Sequence, residues 1–292
     1  MAALLSGSLP APTMAQPAAQ HPIARKIPST GESLPVIGLG TWQTFDVGAD
    51  QGQRAVLREV LKLLDKNLVD SSPMYGSSES VAGDLMADLK VRDKLFVATK
   101  VWTSGREAGI RQMEESFRKL RVQRMDLMQV HNLVDLEVQT RNILELKRQN
   151  RVRYIGITHY TSSAYAEVEH AMKAGPYDFL QINYSLAERD AGKRILPLAA
   201  EKGMAVIINR PFAEGLLFRK TKGKPLPPWA RDLGISTWAQ YFLKWIVGHP
   251  AVTCAIPGTG KPERMRDNLA GGSPPLPDPA ARHRMEGYLE SL

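Results

Sequence analysis

The stretch KLFVATKVWTSGREAGIRQMEESFRKLRVQRMDLMQVH, Lys94–His131, holds one complete structural unit. LFVAT is apolar almost throughout, the composition of a parallel strand covered on both faces. The run closes on Lys100, GIRQMEESFRKLR follows with helical periodicity, and MDLMQVH (Met125–His131) begins another strand. Strand, helix and strand within roughly 30 residues make a βαβ unit. The same alternation extends in both directions. Upstream lie VIGLG (Val36–Gly40) and LVDS (Leu68–Ser71). Downstream lie RYIGIT (Arg153–Thr158), DFLQIN (Asp178–Asn183), MAVIIN (Met204–Asn209) and VTCAIPG (Val252–Gly258). Most steps between them are roughly 25–32 residues, the size of a βαβ unit. Helical patterns fill the intervals. RAVLREVLKLLDK (Arg54–Lys66) sets Val56, Val60, Leu63 and Leu64 at helical spacing, and EVQTRNILELKRQ behaves similarly. Eight such units predict an α/β fold, a (β/α)8 TIM barrel. The competitor, an open doubly wound sheet, would want a glycine-rich fingerprint after its first strand; VIGLGTW has G-x-G without the third glycine.

Composition agrees with one folded domain. The chain has 292 residues, 43% hydrophobic and 23% charged, and no apolar run of membrane-spanning length. A single cysteine, Cys254, excludes an intramolecular disulfide and a multi-cysteine zinc site. Residues 1–24 begin rich in Ala, Pro, Ser and Gln and read as a disordered tail, or as the remnant of an export signal without its basic front. The barrel is expected over residues 25–292. One interval, Asn209 to Val252, is long and carries Arg219, Lys220, Lys222, Lys224 and Trp229. An insert after the seventh strand sits on the C-terminal face, where barrel enzymes keep their sites, so it is expected as a loop over the ligand. PPLPDPAARHRMEGYLESL reads as a Pro-rich link and a last helix.

The barrel rule selects residues. Asp70 ends the second strand, Lys100 the third and His131 the fourth, and Tyr75 lies in the loop after Asp70, SSPMYGSSES (Ser71–Ser80). Taken singly, Asp70 could cap a helix, Lys100 could be a solvated rim lysine, His131 a core histidine and Tyr75 a packing aromatic. Jointly they converge on one rim, where a partly buried lysine and aspartate need one another. An ammonium beside a phenol favours the phenolate, so Tyr75 is expected to have a lowered pKa and to act as a general acid near neutral pH.

These motifs resemble those of the aldo-keto reductase family. IPSTGESLPVIGLGTW is similar to its opening, and LFVATKV and DLMQVHN to the segments with its lysine and histidine. The segment Val69–Gly83 is similar to its D-x4-Y-G-x-S-E-x3-G signature, met by Asp70, Tyr75, Gly76, Ser78, Glu79 and Gly83. The resemblance implies a catalytic tetrad of Asp70, Tyr75, Lys100 and His131 that transfers hydride between NADPH and a small-molecule carbonyl. It further implies that Gly40, Thr41 and Trp42 line the nicotinamide side, Trp42 being equally readable as packing. Gln181 would hold the carboxamide, with Thr158 and His159 where relatives commonly carry Ser-Asn. INRPFAEGLL departs from the family's A-Y-S-P-L-G-x-G-L-L. Asn209 replaces a stacking tyrosine and Arg210 a serine, while Pro211, Phe212, Gly215 and Leu216 continue the segment; Phe212 or Tyr184 could supply the stack. Arg210 is expected to pair with the pyrophosphate, or else with Glu214 or Glu188. IPGTGKPERMRDN resembles the adenosine-end motif, with Thr259, Arg264, Asp267 and Asn268 retained. Pro262 should open a helix that brings Arg264, helped by Lys261, to a 2′-phosphate, which favours NADPH over NADH. Trp102 and Trp229 are weak candidates for the substrate side.

Other classes fit less well. The net charge of +8 includes the basic run Arg141–Arg153, which lacks the aromatic interleaving of a single-strand groove, so no nucleic-acid partner is expected. YFLKWIVGH is too short for a membrane. The six histidines form no H-x-H or H-E-x-x-H pair, so no metal is expected. The alternative function is an NADPH-holding redox sensor on the same barrel that turns over slowly. A monomer is the default, and the cytoplasm, with its cofactor pool, the expected location; export is the alternative.

Overall fold

The computed structural model describes residues 22–292. The reading of residues 1–24 as tail or signal therefore lies mostly outside the described residues. Its last residue, Ala24, already belongs to the fold, where it pairs with Pro35.

Eight parallel strands form one sheet: Leu39–Gly40, Leu68–Asp70, Phe96–Val101, Met125–His131, Val152–Thr158, Phe179–Asn183, Ala205–Asn209 and Cys254–Ala255, each paired to the next. Parallel bridges Ile37–Ala255 and Gly40–Gly258 join the first strand to the eighth and close the barrel. The first strand needs glycine for that approach. A Cβ at Gly38 would lie 2.7 Å from the Leu68 carbonyl oxygen, and one at Gly40 2.9 Å from that of Ile256. Two three-residue strands, Ala24–Lys26 and Ser33–Pro35, form an antiparallel hairpin ahead of the barrel that the sequence reading did not anticipate. Arg25 anchors it by donating to the carbonyls of Val247, His249 and Val252, where the helix Trp238–Val247 ends.

Side chains alternate along a strand, so one parity fills the barrel. At the hairpin end that parity is apolar: Ile27 and Leu34 join Leu68, Phe96, Leu127, Tyr154, Phe179, Ile207 and Cys254 in one buried cluster. Cys254 is wholly enclosed there, and burial raises its thiol pKa. Further along the strands the same parity turns polar, with Asp70, Lys100, Gln129, Thr158, Gln181 and Asn183. The barrel is thus a packed core at one end and a buried polar site at the other. A second, larger core lies between barrel and helices.

The first helix is Gln51–Leu61, with the Asp50 carboxylate accepting from the Gln53 N–H at 2.9 Å. Its buried stripe is Leu57, Val60 and Leu61, continued by Leu64, whereas Val56 is exposed. The apolar face therefore turns one position from the Val56 phase. The last helix, Pro279–Glu290, and the helix Pro262–Ala270, with proline in its first turn, form as expected. The basic run Arg141–Arg153 is heavily ion-paired: Arg141 with Glu137, Lys147 with Asp178, Arg148 with Glu145, Arg151 with Glu114, and Arg153 with Glu32 and Asp126. Among the described residues no helix is long and apolar enough to cross a membrane.

Candidate active site

Three successive strands deliver Asp70, Lys100 and His131 to the polar end, and the loop after Asp70 returns Tyr75. Lys100 is fully buried. Its ammonium donates to Asp70 Oδ2 at 2.6 Å and to the Ser71 carbonyl at 2.7 Å. The other Asp70 oxygen accepts from Gln129 Nε2 at 3.2 Å and Gln181 Nε2 at 3.0 Å. The pair thus has the additional hydrogen bonds that a buried ion pair requires. Burial alone would lower the Lys100 pKa, but Asp70, and then Tyr75, hold it above its ordinary value.

The Lys100 ammonium stands 5.0 Å from the Tyr75 ring centre, and the Tyr75 and His131 rings meet edge to face at 6.2 Å. The expected lowering of the Tyr75 pKa is corrected here. Burial raises the phenol, Lys100 pulls it down, Asp70 pushes it up, and the balance remains above the ordinary value. The neighbouring charge is legible in sequence, but the desolvation that outweighs it is not. Tyr75 is therefore a protonated phenol at neutral pH. His131 is held neutral: burial, then Lys100 and His159, lower its pKa to about 3.

That shift has a measurable consequence. The unfolded chain protonates a histidine near its ordinary value while the folded ring stays neutral. Stability linked to His131 is present above about pH 6.5 and is lost as pH falls towards its folded pKa. Between pH 7 and 4.5 this one group should account for roughly 2–3 kcal/mol of lost stability. Urea midpoints at the two pH values should therefore differ less in His131→Gln than in the parent. Equal losses would contradict the assignment.

A cavity of about 680 Å3 opens over Tyr75 and His131. Trp42, Met74, Trp102, Tyr160 and Phe218 line it, and they are five of the seven large apolar side chains exposed among the described residues. Gly40, Thr41, Thr158, Gln181, Asn209, Arg210, Pro211, Phe212 and Gly215 line it as well. Gln181 is already engaged on both sides, since its Oε1 accepts from Thr158 Oγ1 at 3.2 Å. Asn209 donates to the His159 carbonyl at 3.0 Å, and its buried Oδ1 has no partner among the described residues.

Other candidates stand differently. His159 is turned to its own loop, where Nδ1 accepts from the Tyr160 N–H at 3.0 Å, and neither it nor Leu216 lines the cavity. Arg210 takes up the carboxylate pairing weighed against the phosphate: Glu188 lies at 3.4 Å, Glu214 at 3.3 Å, and Nη1 donates to the Tyr160 carbonyl at 2.8 Å. Tyr184 stacks on Trp245 and Phe212 packs on Phe218. Trp229 lies away from the cavity, against Tyr241 and Tyr288, with the Arg284 guanidinium 4.3 Å from its ring centre. Only the first part of the long insert reaches the mouth, through Phe212, Glu214, Gly215 and Phe218.

None of Thr259, Lys261, Arg264, Asp267 and Asn268 lines this cavity; Asp267 accepts from Thr237 and Gln240, and Thr259 Oγ1 accepts from the Lys261 N–H at 3.2 Å. Thr259 and Asn268 are buried, while Lys261 and Arg264 are exposed with no carboxylate partner among the described residues. The sequence reading missed Gln129 and Ser72. Gln129 was recoverable, because it lies two residues before His131 and shares its inward parity. Among the described residues no group of three or more His, Cys, Asp or Glu side chains is placed to hold a metal.

The sequence profile of the aldo/keto reductase family matches residues 36–281. The chain belongs to the aldo/keto reductase family, a family of oxidoreductases. Methylglyoxal reductase YeaE of Escherichia coli is 28% identical over 250 residues, covering 82% of this chain and 85% of the relative. Aldo-keto reductase YhdN of Bacillus subtilis is 27% identical over 214 residues, covering 66% and 63%. The thermostable aldo-keto reductase Tm1743, solved with an inhibitor, superposes with a TM-score of 0.74 at 25% identity, covering 92% of this chain and 99% of that one. An aldo-keto reductase of Klebsiella pneumoniae solved with NADPH shares the fold at a TM-score of 0.73 and 24% identity, covering 89% and 92%.

Proposed function

We propose that the protein reduces an aldehyde or ketone to an alcohol with NADPH, and that Tyr75 supplies the proton. The observation that carries this reading is the buried Asp70–Lys100 pair set against a protonated Tyr75, beside a neutral His131 at the mouth of a cavity. NADPH supplies the hydride when bound. Its place is supported by the glycine-lined floor at Gly40, the unpartnered Asn209 Oδ1, and Lys261 and Arg264, two cations without a carboxylate among the described residues. In this reading His131 donates a hydrogen bond to the carbonyl oxygen and orients it, and Tyr75 gives that oxygen its proton as negative charge develops. Asp70 holds Lys100, and Lys100 stabilises the phenolate that Tyr75 becomes. Thr41, Trp42, Thr158, Pro211, Phe212 and Gly215 form the walls around the cofactor, Gln181 and Asn209 offer amides to the carboxamide, and Asn268 and Asp267 order the adenosine end. The apolar rim favours a substrate with an aromatic or aliphatic body over a sugar.

The first test is NADPH absorbance decay over a panel of aldehydes, ketones, quinones and sugars. Turnover should concentrate on the apolar members; tight NADPH binding with no turnover on any of them would favour the sensor reading. Arg264→Ala should reduce the kcat/KM preference for NADPH over NADH by about tenfold, since it removes a charge-assisted bond to the 2′-phosphate. An unchanged ratio would move that contact elsewhere. Arg210 would meet the pyrophosphate only by exchanging a carboxylate partner, so Arg210→Ala should weaken NADPH binding, measured as the dissociation constant. The cytoplasm is the working location in this reading, because it supplies the cofactor.

A further inference from the structure

We propose that Ser72 is a positioning residue: its hydroxyl, donated to His131 Nδ1, fixes the imidazole as the Nε2–H tautomer that faces the cavity. Ser72 is fully buried, and its Oγ lies 3.3 Å from His131 Nδ1. The same oxygen accepts from the Met74 N–H at 3.3 Å. That bond leaves the hydroxyl hydrogen free, and among the described residues His131 Nδ1 is the acceptor it meets.

The direction of the bond follows from which groups would be left unpaired. A neutral imidazole has one donor and one acceptor nitrogen, and the bond made by one nitrogen decides the role of the other. If Nδ1 carried the hydrogen, Ser72 Oγ would accept twice, from Met74 and from His131, and its own buried hydrogen would have no acceptor. Leaving a buried hydroxyl donor unmade costs more than the bond gains. Nε2 would then face the cavity as a lone pair and repel a carbonyl oxygen. With Ser72 donating, the buried hydroxyl and His131 Nδ1 are both satisfied, and the ring's remaining donor, Nε2–H, is left for a carbonyl oxygen in the cavity that His131 lines. The neutral state of His131 is what makes the tautomer matter, because a cationic ring would donate from both nitrogens. The consequence for catalysis rests on the carbonyl-reduction reading above; the tautomer does not.

The experiment is nitrogen-15 NMR of the full chain labelled at histidine, at pH 7, with the His131 signals identified by their loss in His131→Gln. The parent should show a protonated Nε2 and a bare Nδ1. In Ser72→Ala both signals should move towards values averaged over two tautomers. In that variant kcat for aldehydes should fall roughly fivefold to tenfold, the loss of one hydrogen bond's orientation, with the NADPH dissociation constant unchanged. Ser72→Thr, which keeps the hydroxyl, should restore the Nε2–H pattern. A parent ring protonated at Nδ1, or a Ser72→Ala ring that stays wholly Nε2–H, would overturn the proposal. A tautomer that responds to Ser72 in a protein that reduces no carbonyl would uphold the positioning role and remove the functional reading instead.

Discussion

Tyr75→Phe is expected to bind NADPH as the parent does and to lose carbonyl reduction by a factor of about 10²–10⁴, the usual contribution of a positioned general acid. The substitution removes one oxygen and leaves the ring that packs on His131 and faces the Lys100 ammonium. The loss should appear in kcat, because proton delivery is needed in the transition state and not for binding. The raised phenol pKa gives the parent a directional pH profile. Reduction requires the protonated phenol, so it should hold across neutral pH and fall only in alkali. Oxidation of an alcohol requires the phenolate, so it should climb with pH over the same range. Full turnover by the phenylalanine variant, or a reduction rate that falls as pH rises through neutrality, would remove Tyr75 from the chemistry.

The second large effect is on stability. Lys100→Met leaves the Asp70 carboxylate buried with only the Gln129 and Gln181 amides for partners, and is expected to cost about 3–5 kcal/mol. Burial of both partners is what makes the figure large; exposed pairs in this chain, such as Lys62 with Glu59, should be worth about 0–1 kcal/mol. The double variant Asp70→Leu/Lys100→Met should recover much of the loss, since no uncompensated charge remains inside the barrel. Urea unfolding of the parent, both single variants and the double variant measures the coupling. Additive losses would mean that the two side chains act independently, contrary to their 2.6 Å contact.

The barrel was legible because buried parallel strands are apolar along their length. MDLMQVH matches its strand residue for residue, five of the other runs bracket theirs, and the remaining two miss one end residue each, Val101 and Val152. The hairpin before it was not legible, since three residues such as Ala24–Lys26 carry no period. Val56 was placed on the buried face because it lies one turn before Val60, but the stripe runs through Leu57, Val60, Leu61 and Leu64 and leaves Val56 at its exposed edge; packing sets that phase. Asp70, Lys100 and His131 could be located because strand ends on a barrel point to one mouth. What escaped depended on three dimensions. Trp229 shares a segment with mouth residues but folds back onto Tyr241 and Tyr288. The Tyr75 shift reversed sign because desolvation depends on burial rather than on neighbours in the chain.

In the proposed reaction this site delivers hydride to a carbonyl carbon. The most direct measurement uses NADPH carrying deuterium at the transferable position, an apolar aldehyde, and mass spectrometry of the alcohol formed. One deuterium per molecule on the carbinol carbon, lost together with turnover in Tyr75→Phe, is the predicted result. Alcohol formed without deuterium from either face of the labelled cofactor, or no alcohol despite bound NADPH, would contradict it.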